Sequence, residues 1–187
     1  MNTEERVREL LEGGDANEAA TAALRALGPE ILGYLEHVLG DADDARDVFQ
    51  VFAEDLWAWL PSWRGGGLRA AAYRIAWHAA ARFRREAWQR RRQRMRTSMA
   101  SRIAASITNP EARLAAAAHD RLARLRDALD PEERTLLVLR IDRELSWSEV
   151  AEVLSTDGQP LDSVAVRKRF ERVKAKLARL ARAQGLL

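Results

Sequence analysis

The side chains of this sequence best suited to chemistry are cations, and they come in two runs. Arg82, Arg84, Arg85, Arg90, Arg91, Arg92, Arg94 and Arg96 face a single acid, Glu86, so residues 82–96 carry a local charge of +7. Residues 167–182 repeat that balance, with Arg167, Lys168, Arg169, Arg172, Lys174, Lys176, Arg179 and Arg182 against Glu171. The formal net charge is only +3, which leaves about −11 for the rest of the chain. Guanidinium and ammonium groups at this density neutralise phosphates and donate to base edges, so two basic segments on an acidic body point to two contacts with a polyanion. Bond-making chemistry has no comparable constellation. His37, His78 and His119 are isolated, no Ser or Lys lies in a nucleophile motif, and Gly65-Gly66-Gly67 lacks the Lys and Ser or Thr of a phosphate loop. With no cysteine in 187 residues, disulfides, thiolate metal sites and cysteine nucleophiles are excluded. No catalytic residue, cofactor or metal is expected.

Helices must position these groups. Ala, Leu, Arg and Glu dominate, and alternating β-branched runs are lacking, which predicts an all-α protein. A first helix is expected from Thr3 to Glu12, closed by Gly13-Gly14, with Asp15-Ala16-Asn17-Glu18 in the form of a capping box for the second. Pro29 marks a fresh start, after which Ile31, Leu32, Leu35, Val38 and Leu39 recur at helical spacing up to Gly40. Asp41 begins another helix, ending at Pro61, whose apolar positions include Val48, Phe52, Leu56 and Trp57. Beyond the glycine loop Ser62–Gly67, a helix from Leu68 should place Leu68, Ala72, Ile75, Ala76, Ala79 and Phe83 on a core side. Arg74, Trp77, His78 and Arg85 then fall on a presented side. Residues 97–118 are small and polar and read as a linker.

After that linker the signals are those of a helix-turn-helix. Asp130-Pro131-Glu132-Glu133 is a helix start and Ser146-Trp147-Ser148-Glu149 a capping box. A loop from Ser155 to Pro160 precedes a last helix capped by Asp162 or Ser163. In that helix Val166, Phe170, Val173, Leu177 and Leu180 form one apolar stripe, and nearly all the remaining surface is cationic. Such a helix fits the DNA major groove, with Arg167, Lys168, Glu171 and Arg172 near the end that reads base edges. The competing reading is a solvated helix in a bundle.

Leu129-Asp130-Pro131-Glu132-Glu133-Arg134, then Leu145 through Leu154, then Val166-Arg167-Lys168-Arg169-Phe170 resemble region 4 of extracytoplasmic-function (ECF) RNA polymerase sigma factors, of the sigma-70 family. Independently, Asp44-Ala45-Arg46-Asp47-Val48-Phe49-Gln50 resembles that family's polymerase-binding segment, and Tyr73-Arg74-Ile75-Ala76-Trp77-His78 its region 2 helix. The resemblance implies two small helical domains joined by a flexible linker. These are an N-terminal helix and turn (1–21), region 2 (22–96), the linker (97–118) and a region 4 helix-turn-helix (119–187). It implies core polymerase contacts at Asp44, Asp47 and Gln50, on a stretch, 41–55, that holds six acids against Arg46 and so suits a basic protein partner. It implies minus-ten contacts at Trp63, Arg64, Arg69, Arg74, Trp77, His78, Arg82 and Arg85, with the glycines admitting a flipped base. Minus-thirty-five contacts are implied at Arg167, Lys168, Glu171, Arg172 and Lys174. For Trp57 core packing is the preferred reading, while for Trp59, Trp63 and Trp77 packing and stacking stand level. Two departures bear on base preference: His78 stands where relatives often carry Asn, and the turn before Val166 is about five residues longer than is usual in the family.

The implied partners are core RNA polymerase, promoter DNA and an anti-sigma factor. No stretch approaches the roughly 18 apolar residues of a membrane span, and Met1–Glu5 is no signal peptide, so a soluble cytoplasmic protein is expected. Two rivals remain. A free-standing helix-turn-helix regulator explains the second half but not the acidic segment or the glycine loop, and a protein-binding adaptor leaves both basic segments unexplained.

Overall fold

The computed structural model describes residues 2–94, 128–155 and 160–183, with the backbone alone for 87–94. Every regular element among them is helical, so the chain is all-α. The proposed linker, Arg96 and the turn residues 156–159 lie outside the described residues.

Helix α1 (Thr3–Glu12) opens on a reciprocal capping box between Asn2 and Glu5 and ends at Gly13. In α2 (Ala16–Leu39) Asp15 accepts from the Glu18 N–H at 3.0 Å, and Gly40 closes the helix in the left-handed conformation that glycine tolerates. The break expected at Pro29 does not occur, because Pro29 lies inside α2. A helix-interior proline costs about 3 kcal/mol. Against that cost, Ala19, Ala20, Ala23 and Leu27 before it and Ile31, Tyr34, Leu35 and Val38 after it are all buried. A break would turn one of these two sets out of the core. Gly28 beside it leaves room for the Phe49 ring, which a Cβ would meet at 3.3 Å.

Helix α3 (Ala42–Trp59) is capped by Asp41, which accepts from the N–H groups of Asp43 and Asp44, both at 2.9 Å. It buries Ala45, Val48, Phe52 and Leu56 and gives way to a 3-10 turn, Leu60–Ser62, at Pro61. Helix α4 (Leu68–Arg94) follows the glycine loop. Helix α5 (Pro131–Leu137) starts on a capping box between Asp130 and Glu133 and runs into a π-helical turn, Val138–Asp142. Ser146 and Glu149 form the expected box on α6 (Trp147–Leu154). Asp162 rather than Ser163 caps α7 (Ser163–Ala183), accepting from the Ala165 N–H at 2.6 Å.

Helices α1 to α4 pack around Ile31, Tyr34, Phe52, Leu56 and Tyr73, and α5 to α7 around Leu136, Leu139, Leu145, Val150 and Phe170. These are not separate cores. Helix α6 lies against α4, and α5 against α2, so that one apolar cluster runs through both halves. The expected presented face of α4 is consequently covered over its first half. Ala70, Ala71, Tyr73, Trp77 and Ala80 are buried along with Leu68, Ala72, Ala76 and Ala79, a helix apolar nearly all round. The alanines, with no side chain beyond Cβ, admit neighbouring helices on both sides.

Candidate nucleic-acid interface

The glycine loop takes its shape from backbone only glycine adopts easily: Gly65, Gly66 and Gly67 have φ of 102°, 76° and 62°. Within it the Trp63 indole N–H donates to the Gly66 carbonyl at 3.0 Å, and the ring is only 7 % exposed. Helix α1 holds the loop from outside. Glu4 accepts from the Leu68 N–H at 2.8 Å, satisfying one of the donors left open at the start of α4, and the Arg8 guanidinium lies 5.9 Å over the Trp63 ring. Arg64 is exposed, its Nη1 donating to the carbonyls of Pro61 and Trp63.

On α4 the expected contact residues divide. Arg69 is bound by both oxygens of Glu30, which also accepts from the Tyr73 hydroxyl at 2.7 Å, and Arg69 Nη2 donates to the Arg143 carbonyl at 2.9 Å. Burial pushes the Glu30 carboxyl up, but the hydrogen bonds from Arg69 and Tyr73 and the charges of Arg69 and Arg143 outweigh it and hold it below the usual carboxylate range. Arg74 pairs with Glu152 of α6 at 3.7 Å. Trp77 is 6 % exposed, with the Arg84 guanidinium 4.9 Å over its ring. His78 is half-buried. Arg82 pairs with Asp55, and Arg85 is exposed. Thus Arg64, Arg82 and Arg85 lie outward, whereas Arg69 and Arg74 contact the second half and neither Trp63 nor Trp77 offers an open ring face.

Helix α7 matches its expected design more closely. Val166, Phe170 and Val173 are buried, and the Phe170 ring meets Trp147 of α6 edge-on at 5.2 Å. Trp147 carries guanidinium groups near its faces, Arg140 at 4.6 Å and Arg167 at 5.6 Å. Two cations brace the helix on α5, Arg169 to Glu132 at 3.1 Å and Lys176 to Glu133 at 2.6 Å. Lys174 pairs with Glu171 on α7 itself. Lys168, Arg172 and Arg179 are exposed and pair with no carboxylate among the described residues. Arg172 borders a cleft of about 240 Å³ between α5 and α7, which Asp130, Glu132 and Glu133 also line.

Of the acids on α3, Asp55 is engaged by Arg82, and the others form a separate exposed face. Asp47, Gln50 and Glu54 are exposed on successive turns, Gln50 donating to Glu54 at 3.4 Å, and Asp44 is half-buried in the first turn. Two exposed apolar side chains, Val51 at 40 % and Trp57 at 41 %, flank that acidic face. Core packing was the preferred expectation for Trp57, and the structure corrects it. Leu56 and Leu60 already fill the inward positions of that turn, leaving the indole outside. Sequence reasoning passed over Glu4, Arg8, Glu30 and Glu152, whose partners lie on other elements far along the chain. Only spatial proximity could have found them.

Comparison with protein families and with curated proteins finds no match to this chain. Among the described residues no group of acids and histidines could hold a metal, and no helix is long and apolar enough to cross a membrane.

Proposed function

We propose that the chain is an alternative sigma factor of the ECF type, which binds core RNA polymerase and directs it to promoters without catalysing a reaction itself. The observation that carries this reading is helix α7. It is seated by Val166, Phe170 and Val173 on a capped α6, and it turns Lys168, Arg172 and Arg179 outward as a major-groove reader would. The exposed acidic face at Asp47, Gln50 and Glu54 gives a separate surface suited to a basic protein. Arg64 in the glycine loop, and Arg82 and Arg85 about four to five turns along α4, supply phosphate-binding groups for the promoter near its melted segment. Polymerase is cytoplasmic, and this factor acts there, held in check by an anti-sigma partner.

The test mixes the full chain with core polymerase and a library of fork-junction promoters. Formation of a ternary complex on a selected subset of sequences is the expected result, and failure to bind core polymerase removes the reading. The covered face of α4 favours a second one, a helix-turn-helix regulator that binds duplex operators through α7 alone. That alternative gains if duplex is bound and polymerase is not.

A further inference from the structure

The Trp147 indole, at the start of α6, is held from more than one side. The Phe170 ring meets it edge-on at 5.2 Å, and the Arg140 guanidinium lies 4.6 Å over its ring while donating to the Leu145 carbonyl at 2.7 Å. Against this fixed ring rests Arg167, its guanidinium carbon 5.6 Å from the ring centroid. Arg167 is exposed, and neither arginine pairs with a carboxylate among the described residues. An indole attracts a guanidinium through its face and leaves the N–H groups at the guanidinium's edge free to donate. Arg167 is thus ordered before it has a partner, which lowers the entropy lost when one arrives.

A phosphate or a base edge could accept from such a fork, and Val164, one turn earlier on α7, decides between them. It is 59 % exposed, the most exposed of the large apolar side chains among the described residues, and takes no part in the core. At 3.6 residues per turn it falls with Lys168 and Glu171 on the side of α7 opposite the buried Val166 and Val173. An isopropyl group aimed at DNA has nothing to offer a phosphate, whereas the major groove presents a methyl group at thymine C5. Three residues of helix rise about 4.5 Å, near the roughly 3.4 Å step between base pairs, so the two side chains reach neighbouring pairs. We propose that Arg167 donates to O6 and N7 of a guanine, that Val164 packs on the methyl group of a thymine in the adjacent pair, and that Trp147 is the positioning residue for Arg167. This rests on the reading of α7 as a duplex reader, which the sigma factor and the operator-binding alternative share.

The test uses the full chain, with and without core polymerase, to select duplexes from a random pool. The selected element is then remade with 7-deazaguanine for guanine or deoxyuridine for thymine, one position at a time, which removes N7 or the C5 methyl group. One guanine should respond with a roughly five- to tenfold loss of affinity, and a thymine in the neighbouring pair with a loss of about threefold. Arg167→Ala should abolish the first response and Val164→Ala the second. Trp147→Leu should shrink the guanine response, while Trp147→Tyr, which keeps a ring face for the guanidinium, should retain it. A role in packing alone would weaken all duplexes equally and leave the guanine response intact, which removes Trp147 from positioning. Melting curves accompany the Trp147 variants, and Arg167→Ala and Val164→Ala, both at exposed positions, decide the base contacts if Trp147→Leu unfolds. Indifference of the wild type to both analogues overturns the proposal. So does a salt slope that falls by about one in Arg167→Ala with the guanine response intact, the mark of a phosphate contact. If no duplex is selected, the reading of α7 itself has failed, whereas selected duplexes indifferent to both analogues sink this inference alone.

Discussion

Asp47 lies exposed on α3, about one turn before Val51 and two before Glu54, with no ion pair among the described residues to hold it. Reversing its charge should therefore act on a partner rather than on the fold. Asp47→Arg is predicted to weaken core polymerase binding at least about tenfold, because like charges across an interface are costly. Duplex binding by α7 should be untouched, and equal loss of both in pull-down and gel-shift assays would contradict the prediction. Arg172 is exposed on α7 and free of carboxylates among the described residues. If it contacts phosphate, Arg172→Ala should lower promoter affinity and reduce the salt slope of log K by roughly one. An unchanged slope and affinity would place Arg172 outside the interface. Arg69 and Arg74 differ in kind, since each is already engaged by a carboxylate in the folded chain.

At the scale of the helix, the caps were legible and the interruption was not. Asp41, Asp130 and Ser146 act where their residue types and following acids predict, because a cap is a contact within four residues. Pro29 has the local form of a helix start, and local rules would end the helix before it. The outcome depends on whether the residues on both sides share one buried stripe, which is decided by α3 and α4. Pro29→Ala should stabilise the chain by about 2 kcal/mol, a gain in helix propensity reduced by the looser unfolded chain. Denaturant unfolding would show it as a higher midpoint at constant slope. No gain would mean that the proline ring makes packing contacts worth as much as the missing hydrogen bond. The start of α4 reverses the case of the caps, since Glu4, far away in sequence, accepts from the Leu68 N–H.

Across the whole molecule, Glu30 ties the halves together, joining Arg69 and Tyr73 while Arg69 reaches on to the Arg143 carbonyl. Its carboxyl is held below the ordinary range in the folded chain. The stabilisation from that shift is complete above the unfolded carboxylate value of about 4.3 and is lost as pH falls through the lower folded value. Thermal stability should therefore drop in that acid window, and Glu30→Gln should flatten this part of the profile while lowering the plateau above it. Parallel profiles for the two proteins would remove Glu30 from that role.

The sequence by itself determined the all-helical class, the caps, the seam of α7 and the two basic segments, because each is written in spacings of three or four residues or in local charge. It also carried the resemblance on which the functional reading rests. Only the tertiary structure decided that α4 is covered on both sides, that Trp57 is outside while Trp63 and Trp77 are inside, and that Arg69 and Arg74 bind carboxylates. A helical periodicity gives the relative angle of two side chains but not the number of neighbours around the helix. For α4 the second neighbour comes from residues more than sixty positions later.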